Sequence, residues 1–177
     1  MACLILMIGL PGSGKSFLSQ QLIQNHYPEY CLTSTDQIRA RLFGDEAIQG
    51  HWLQVWQQVE QQFYQGMLYP GLIYDATNTQ RRHRREVVDL ARTVGFQRIM
   101  GIWVNLSLQI CLERNQQRSR QVPEEIILRM ARQLQGAPPA LSEGFDSLVI
   151  ISGGDRPTRQ VSTDIAMIPQ QEPNSSH

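Results

Sequence analysis

The sequence predicts one α/β domain: a mostly parallel central sheet of about five strands, sandwiched between helices. Three observations carry this. Short apolar runs alternate with amphipathic helical stretches through residues 4–151. The first run, residues 4–8, leads into the glycine-rich stretch GLPGSGKS. The third run, Leu72-Ile73-Tyr74-Asp75, ends in an acid, at the strand end where parallel sheets collect their ligands. Strand–helix alternation of this kind implies right-handed crossovers. The 177 residues suffice for one domain and little more. We assign residues 1–152 to the domain and 153–177 to a polar, proline-bearing extension, expected to be disordered at its end, QQEPNSSH.

Each element has a local reason. Residues 4–8 have no polar face and read as a buried central strand. Residues 15–25 follow as a helix, with Leu18, Leu22 and Ile23 at helical spacing. Residues 30–33 are a weak second strand, and 36–43 a short helix with Thr35 as its N-cap. A long glutamine-rich helix is expected over 45–67. Its Trp52, Val55, Trp56, Val59 and Phe63 form one stripe, read as core rather than ligand platform. Pro70-Gly71 breaks that helix ahead of the third strand, 72–75. Residues 79–94 form a helix closed by Gly95. A fourth strand over 98–104 and a helix over 106–116 lead into an arginine-rich loop. Pro123 then restarts a helix as its first residue, with Glu124 and Glu125 in the first turn. Gly136-Ala137-Pro138-Pro139 ends it, and 148–151 is the last strand.

Composition limits the partners. Sixteen basic and sixteen acidic residues give zero net charge, so bulk charge does not argue for nucleic acid. Cys3, Cys31 and Cys111 are too scattered for a disulfide framework or zinc knuckle and read as small buried hydrophobes. The opening MACLILMIGL lacks the cationic start and small-residue cleavage site of a secretory signal. No run of about twenty apolar residues offers a membrane span. A cytoplasmic location without a membrane partner is expected; oligomeric state is not legible.

The chemistry begins at Gly9, Gly12, Ser13, Gly14, Lys15 and Ser16, which meet the pattern G-x-x-x-x-G-K-[ST]. Glycines let the backbone curl with its N–H groups inward, a nest for phosphate oxygens at a helix N-terminus. Lys15 is expected to reach the β- and γ-phosphates of a bound nucleoside triphosphate, and the Ser16 hydroxyl to ligate Mg²⁺. Asp75 either holds the magnesium shell or caps a strand-to-helix turn. Thr77 and Asn78 either bond a phosphate or pin that turn. Asp36 can orient an acceptor hydroxyl and take its proton, with Arg39 three residues on and on the same helical face. Alternatively the two are an ordinary ion pair at a helix start. Arg114, Arg118 and Arg120 surround a loop between helices and suit a mobile lid that neutralises a transferring phosphate and excludes water. Arg81-Arg82-His83-Arg84-Arg85 opposes the dipole of its helix. It reads equally as a contact for a nucleic-acid strand or as a solvated basic face.

The phosphate loop, STDQIR, YDATNTQRRHRR and LERNQQRSRQVPEEIILRM together resemble the 5′-hydroxyl polynucleotide kinase domain of bacteriophage and its relatives among the P-loop kinases. The resemblance covers residues 3–151. It implies the P-loop kinase three-layer sandwich with an arginine-bearing lid, ATP as donor and Mg²⁺ as cofactor. It also implies that Asp36 is the general base and that Arg39 contacts the phosphate beside the acceptor hydroxyl. Lys15 and Ser16 would serve ATP and Mg²⁺, and Asp75 would match the acid of the third-strand motif. Arg114 and Arg118 would be the lid arginines, with Arg118 on the γ-phosphate. Asp75-Ala76-Thr77-Asn78 is one residue longer than the corresponding phage motif. The expected function is phosphoryl transfer from ATP to a hydroxyl, preferentially the 5′-hydroxyl of a nucleic acid or nucleotide. A kinase of a small metabolite is the second reading. A nucleotide-dependent switch with no acceptor is the third, and Asp36 argues against it.

Overall fold

The computed structural model describes residues 2–44 and 51–153. Strands β1 (Cys3–Ile8), β2 (Cys31–Ser34), β3 (Gly71–Asp75), β4 (Arg98–Asn105) and β5 (Ser147–Ser152) form one sheet in the order β2-β3-β1-β4-β5. Every pairing is parallel. The helices are α1 (Lys15–Asn25), α2 (Thr35–Phe43), α3 (Trp52–Gly66), α4 (Arg81–Val94), α5 (Leu108–Gln116) and α6 (Glu124–Gly136).

All six residues of β1 are buried, as an unbroken apolar run requires of a strand covered on both faces. It lies between β3 and β4, so the loop leaving it opens at the centre of the sheet's carboxyl edge. Register brings Leu6 opposite Tyr74, and Ser34 opposite Asp75. The chain segments leaving β1, β2 and β3 therefore emerge side by side, carrying the phosphate loop, Asp36 and Asp75. Phe63 of α3 packs edge-on against Tyr74 at 5.4 Å and Phe96 at 6.0 Å, sealing the core below.

Several boundaries move. Thr35 is not an N-cap: β2 passes into α2 without a loop, Ser34 holds the cap position, and Thr35 begins the helix. Pro123 precedes its helix as the cap, with ψ 136°, instead of opening it. The helix expected from residue 79 starts at Arg81. A short 3₁₀ turn, Leu141–Glu143, was not foreseen. The apolar stripe of α3 divides: Val55, Val59 and Phe63 are fully buried, whereas Trp52 is 43% exposed and Trp56 half-buried. Residues 45–50 of the expected long helix, and the extension from 154 onward, lie outside the described residues. No helix among the described residues is long and apolar enough to cross a membrane.

Candidate active site

The phosphate loop is a tight bend pressed against α5. Gly12 and Gly14 take left-handed backbone angles, φ 80° and 95°. A Cβ on Gly12 would overlap the backbone carbonyl of Cys111, so the close approach itself requires glycine. Beneath the bend Ser13 is fully buried, and its hydroxyl has no partner. Lys15 is 7% exposed and donates from Nζ to the Leu10 carbonyl at 2.8 Å. Burial pushes its pKa down, and the Asp75 carboxylate opposes that shift. A desolvated ammonium beside a curled backbone suits the phosphate oxygens of ATP.

Asp75 closes β3 and is 6% exposed. Burial raises its pKa; a hydrogen bond from the Ser16 hydroxyl and the charge of Lys15 hold it back. Ser16 and Asp75 thus present adjoining hard oxygens beside the phosphate loop. That donor set fits Mg²⁺, which takes one or two protein oxygens and completes its shell with phosphate and water.

The turn after β3 is bolted to β1. Gly9 N–H donates to the Thr77 carbonyl at 3.0 Å. Asn78, at φ 49°, donates its side-chain amide to the Met7 carbonyl at 2.7 Å. Of the two roles left open for Asn78, its amide performs the turn-pinning one.

On the acceptor side, the first turn of α2 carries Asp36, and Arg39 follows one turn on. Arg39 Nη1 donates to Asp36 Oδ1 at 3.1 Å. The arginine side chain is 14% exposed, and its Nε is buried without a partner. The carboxylate is half exposed and open to the cleft. This asymmetry goes beyond an ion pair at a helix start, because a buried donor is left to be satisfied.

Arg114 lies in the last turn of α5, and Arg118 and Arg120 in the loop after it. Asn115 is buried and fastens both ends of that loop. Its amide donates to the Val122 carbonyl at 2.8 Å, and Val122 N–H donates back to its Oδ1 at 2.9 Å. The positive charge of Arg118 is felt at both Lys15 and Asp75.

One cavity of about 500 Å³ gathers these groups. Gly12, Gly14, Lys15, Ser16, Asp36, Arg39, Asp75, Thr77, Asn78, Arg114 and Arg118 all line it; Gly9 and Ser13 do not. Sequence reasoning put Trp52 and Trp56 in the core and did not single out Arg129 and Gln133, yet all four line the cavity, as does His83 of the basic run. The prior signals were the aromatic stripe of α3, whose first two members face the cleft, and the basic run that holds His83. The basic run 81–85 is not one surface. Arg84 is fully buried on Glu143, Arg82 pairs with Glu86, and His83 faces the cavity. A helix turns successive residues to different sides, so Arg84 leaves the run while Arg81, Arg82 and Arg85 stay exposed, and the solvated-face and strand-contact readings apply to those three.

The parallel sheet, with the phosphate loop at its central strand and the acid and arginines around it, has the P-loop kinase fold. The chain belongs to an AAA domain family, whose model matches residues 4–137. Among solved structures, it is similar to a chain of the Pnkp1/Rnl/Hen1 RNA repair complex. The identity is 22% and the TM-score 0.68, covering 82% of this chain and 46% of that one. A gluconokinase from Sinorhizobium meliloti matches at 16% identity and TM-score 0.60, covering 92% and 89% of the two chains. The tunicamycin resistance protein of Deinococcus radiodurans matches at 15% identity and TM-score 0.66, covering 97% and 98%. At these identities the likeness is one of fold.

Proposed function

We propose that this protein transfers the γ-phosphate of ATP, with Mg²⁺, to a hydroxyl, and that its preferred acceptor is the 5′-hydroxyl of a nucleic acid or nucleotide. One observation carries the reading. Asp36 and Arg39 share a cavity with the phosphate loop and the lid arginines, and Arg39 keeps a buried, unpartnered Nε. The carboxylate suits a hydroxyl and the guanidinium suits a neighbouring phosphate. The chain similar to this one in an RNA repair complex supports the nucleic-acid acceptor.

The chemistry follows from position. The acceptor oxygen bonds to the γ-phosphorus as the bond to the β–γ bridging oxygen breaks, and ADP leaves. The hydroxyl proton passes to Asp36. The N–H groups of the phosphate loop, with Lys15, hold the donor phosphates, and Arg118 meets charge that develops on the transferring group. Mg²⁺, held through Ser16 and Asp75, would neutralise donor phosphate charge.

The test is transfer of labelled phosphate from ATP to 5′-hydroxyl oligonucleotides. Asp36→Asn is expected to lower kcat by about 10²–10⁴-fold while ATP binding persists. Equal transfer by Asp36→Asn, or none by the wild type, would sink the reading. Similarity to a gluconokinase favours a second one, in which the acceptor is a small metabolite; a metabolite screen under the same conditions separates the two.

A further inference from the structure

Trp52 is a cavity-lining aromatic ring of α3 that the core does not use. Val55, Val59 and Phe63 of the same helix are fully buried, yet Trp52 stays 43% exposed at the cavity wall. It is held there. Its ring lies nearly parallel to that of His83 on α4, with centroids 6.0 Å apart and planes 19° apart. Trp56 tilts against it at 6.1 Å. Two neighbours fix the plane of an indole that still exposes nearly half its surface to a cleft. An exposed ring held in place suits a planar partner better than solvent.

The fold says which substrate meets it. Trp52 stands on α3, which packs against α2, the carrier of Asp36 and Arg39, and against α4. Helices α2 and α3 connect β2 to β3, whereas α4 crosses over β1 and the lid helices α5 and α6 follow β4 on the other side of β1. The ring therefore borders the acceptor's half of the cavity. Aromatic side chains stack on nucleobases with little regard to sequence, because every base has a π-face.

We propose that Trp52, backed by His83, is a stacking platform for the nucleobase of the acceptor nucleotide, and so a specificity-determining residue. This rests on the kinase reading above. The test compares two acceptors with a 5′-hydroxyl: a trinucleotide carrying its first base, and the same molecule abasic at that position. The ratio of their kcat/KM values is expected to be about ten or more in the wild type and near one in Trp52→Ala. Trp52→Phe, which keeps a ring, is expected to retain most of the preference. An equal ratio in wild type and Trp52→Ala overturns the platform. So does a raised KM for ATP with the acceptor ratio unchanged, since the ring would then serve the donor. If neither acceptor is phosphorylated by the wild type, the kinase reading fails separately, and binding decides the platform. Quenching of tryptophan fluorescence by the base-bearing trinucleotide, strongly reduced in Trp52→Phe while Trp56 and Trp103 remain, supports it. Absence of quenching in the wild type overturns it.

Discussion

At the residue scale, Asp75 sets function against stability. Its carboxylate is buried, and burial raises its pKa above the ordinary value despite the Ser16 bond and the Lys15 charge. The unfolded chain therefore releases this proton more readily than the folded one. Stability from this group is full below the ordinary carboxylate pKa and is lost as pH rises through the raised folded value. Asp75→Asn removes the buried charge and keeps an acceptor for Ser16. It is expected to raise the ligand-free melting temperature at neutral pH by roughly 2–4 °C for each ~1 kcal/mol recovered. The gain should vanish below the ordinary carboxylate range. Mg²⁺-dependent transfer should fall by about 10–100-fold, as for loss of a group that holds or orients the metal. Calorimetry across pH, alongside a transfer assay, checks both; a variant less stable at neutral pH contradicts the argument.

At the element scale, Arg84 is the bolt between α4 and the segments around it. Its guanidinium is fully buried and forks onto Glu143, at 2.6 Å from Nε and 2.7 Å from Nη2. It also donates to the carbonyls of Asn78, Thr79 and Ala137. One side chain thus joins the turn after β3, the C-terminal end of α6 and the 3₁₀ turn. The Thr79 hydroxyl, bonded to Gln133 at 2.7 Å, adds a second tie from that turn to α6. Removing one partner of a buried ion pair strands the other charge, at a cost of about 3–5 kcal/mol. Arg84→Met and Glu143→Leu should each lower the urea midpoint strongly, and the double variant should be less destabilised than the sum of the singles. Additive losses would show that the two side chains act independently.

At the scale of the whole molecule, zero net charge means that attraction for an acceptor must come from the cleft. Arg39, Arg120 and Arg129 line it beside the phosphate loop. If about three acceptor phosphates are neutralised, log affinity should fall with log salt at a slope of roughly −2, from about −0.7 per contact on a single strand. Titrating acceptor KM against salt measures this. A slope near zero points to a small uncharged acceptor and to the metabolite-kinase reading. The strand order makes such a cleft unavoidable: β3 and β1 are neighbours and β2 flanks them, so Asp36, Asp75 and the phosphate loop share one edge of the sheet.

The sequence by itself determined the alternation of strands and helices, the phosphate loop, and the positions of Asp36, Arg39, Asp75, Arg114 and Arg118. These are local facts: a strand's apolar run, a bend that needs glycine, a pair of residues one helical turn apart. Only the tertiary structure decided what meets across distance. Arg84 and Glu143 are 59 residues apart. Arg84 looked like one cation in a basic run until packing turned it inward. Gly12 needs to be glycine because Cys111 arrives from α5. Trp52 shared a periodic stripe with Phe63, and periodicity gives the side of a helix but not where the core beneath it ends. At that point the sheet stops and the cleft begins, so the same stripe is core at one end and cavity wall at the other.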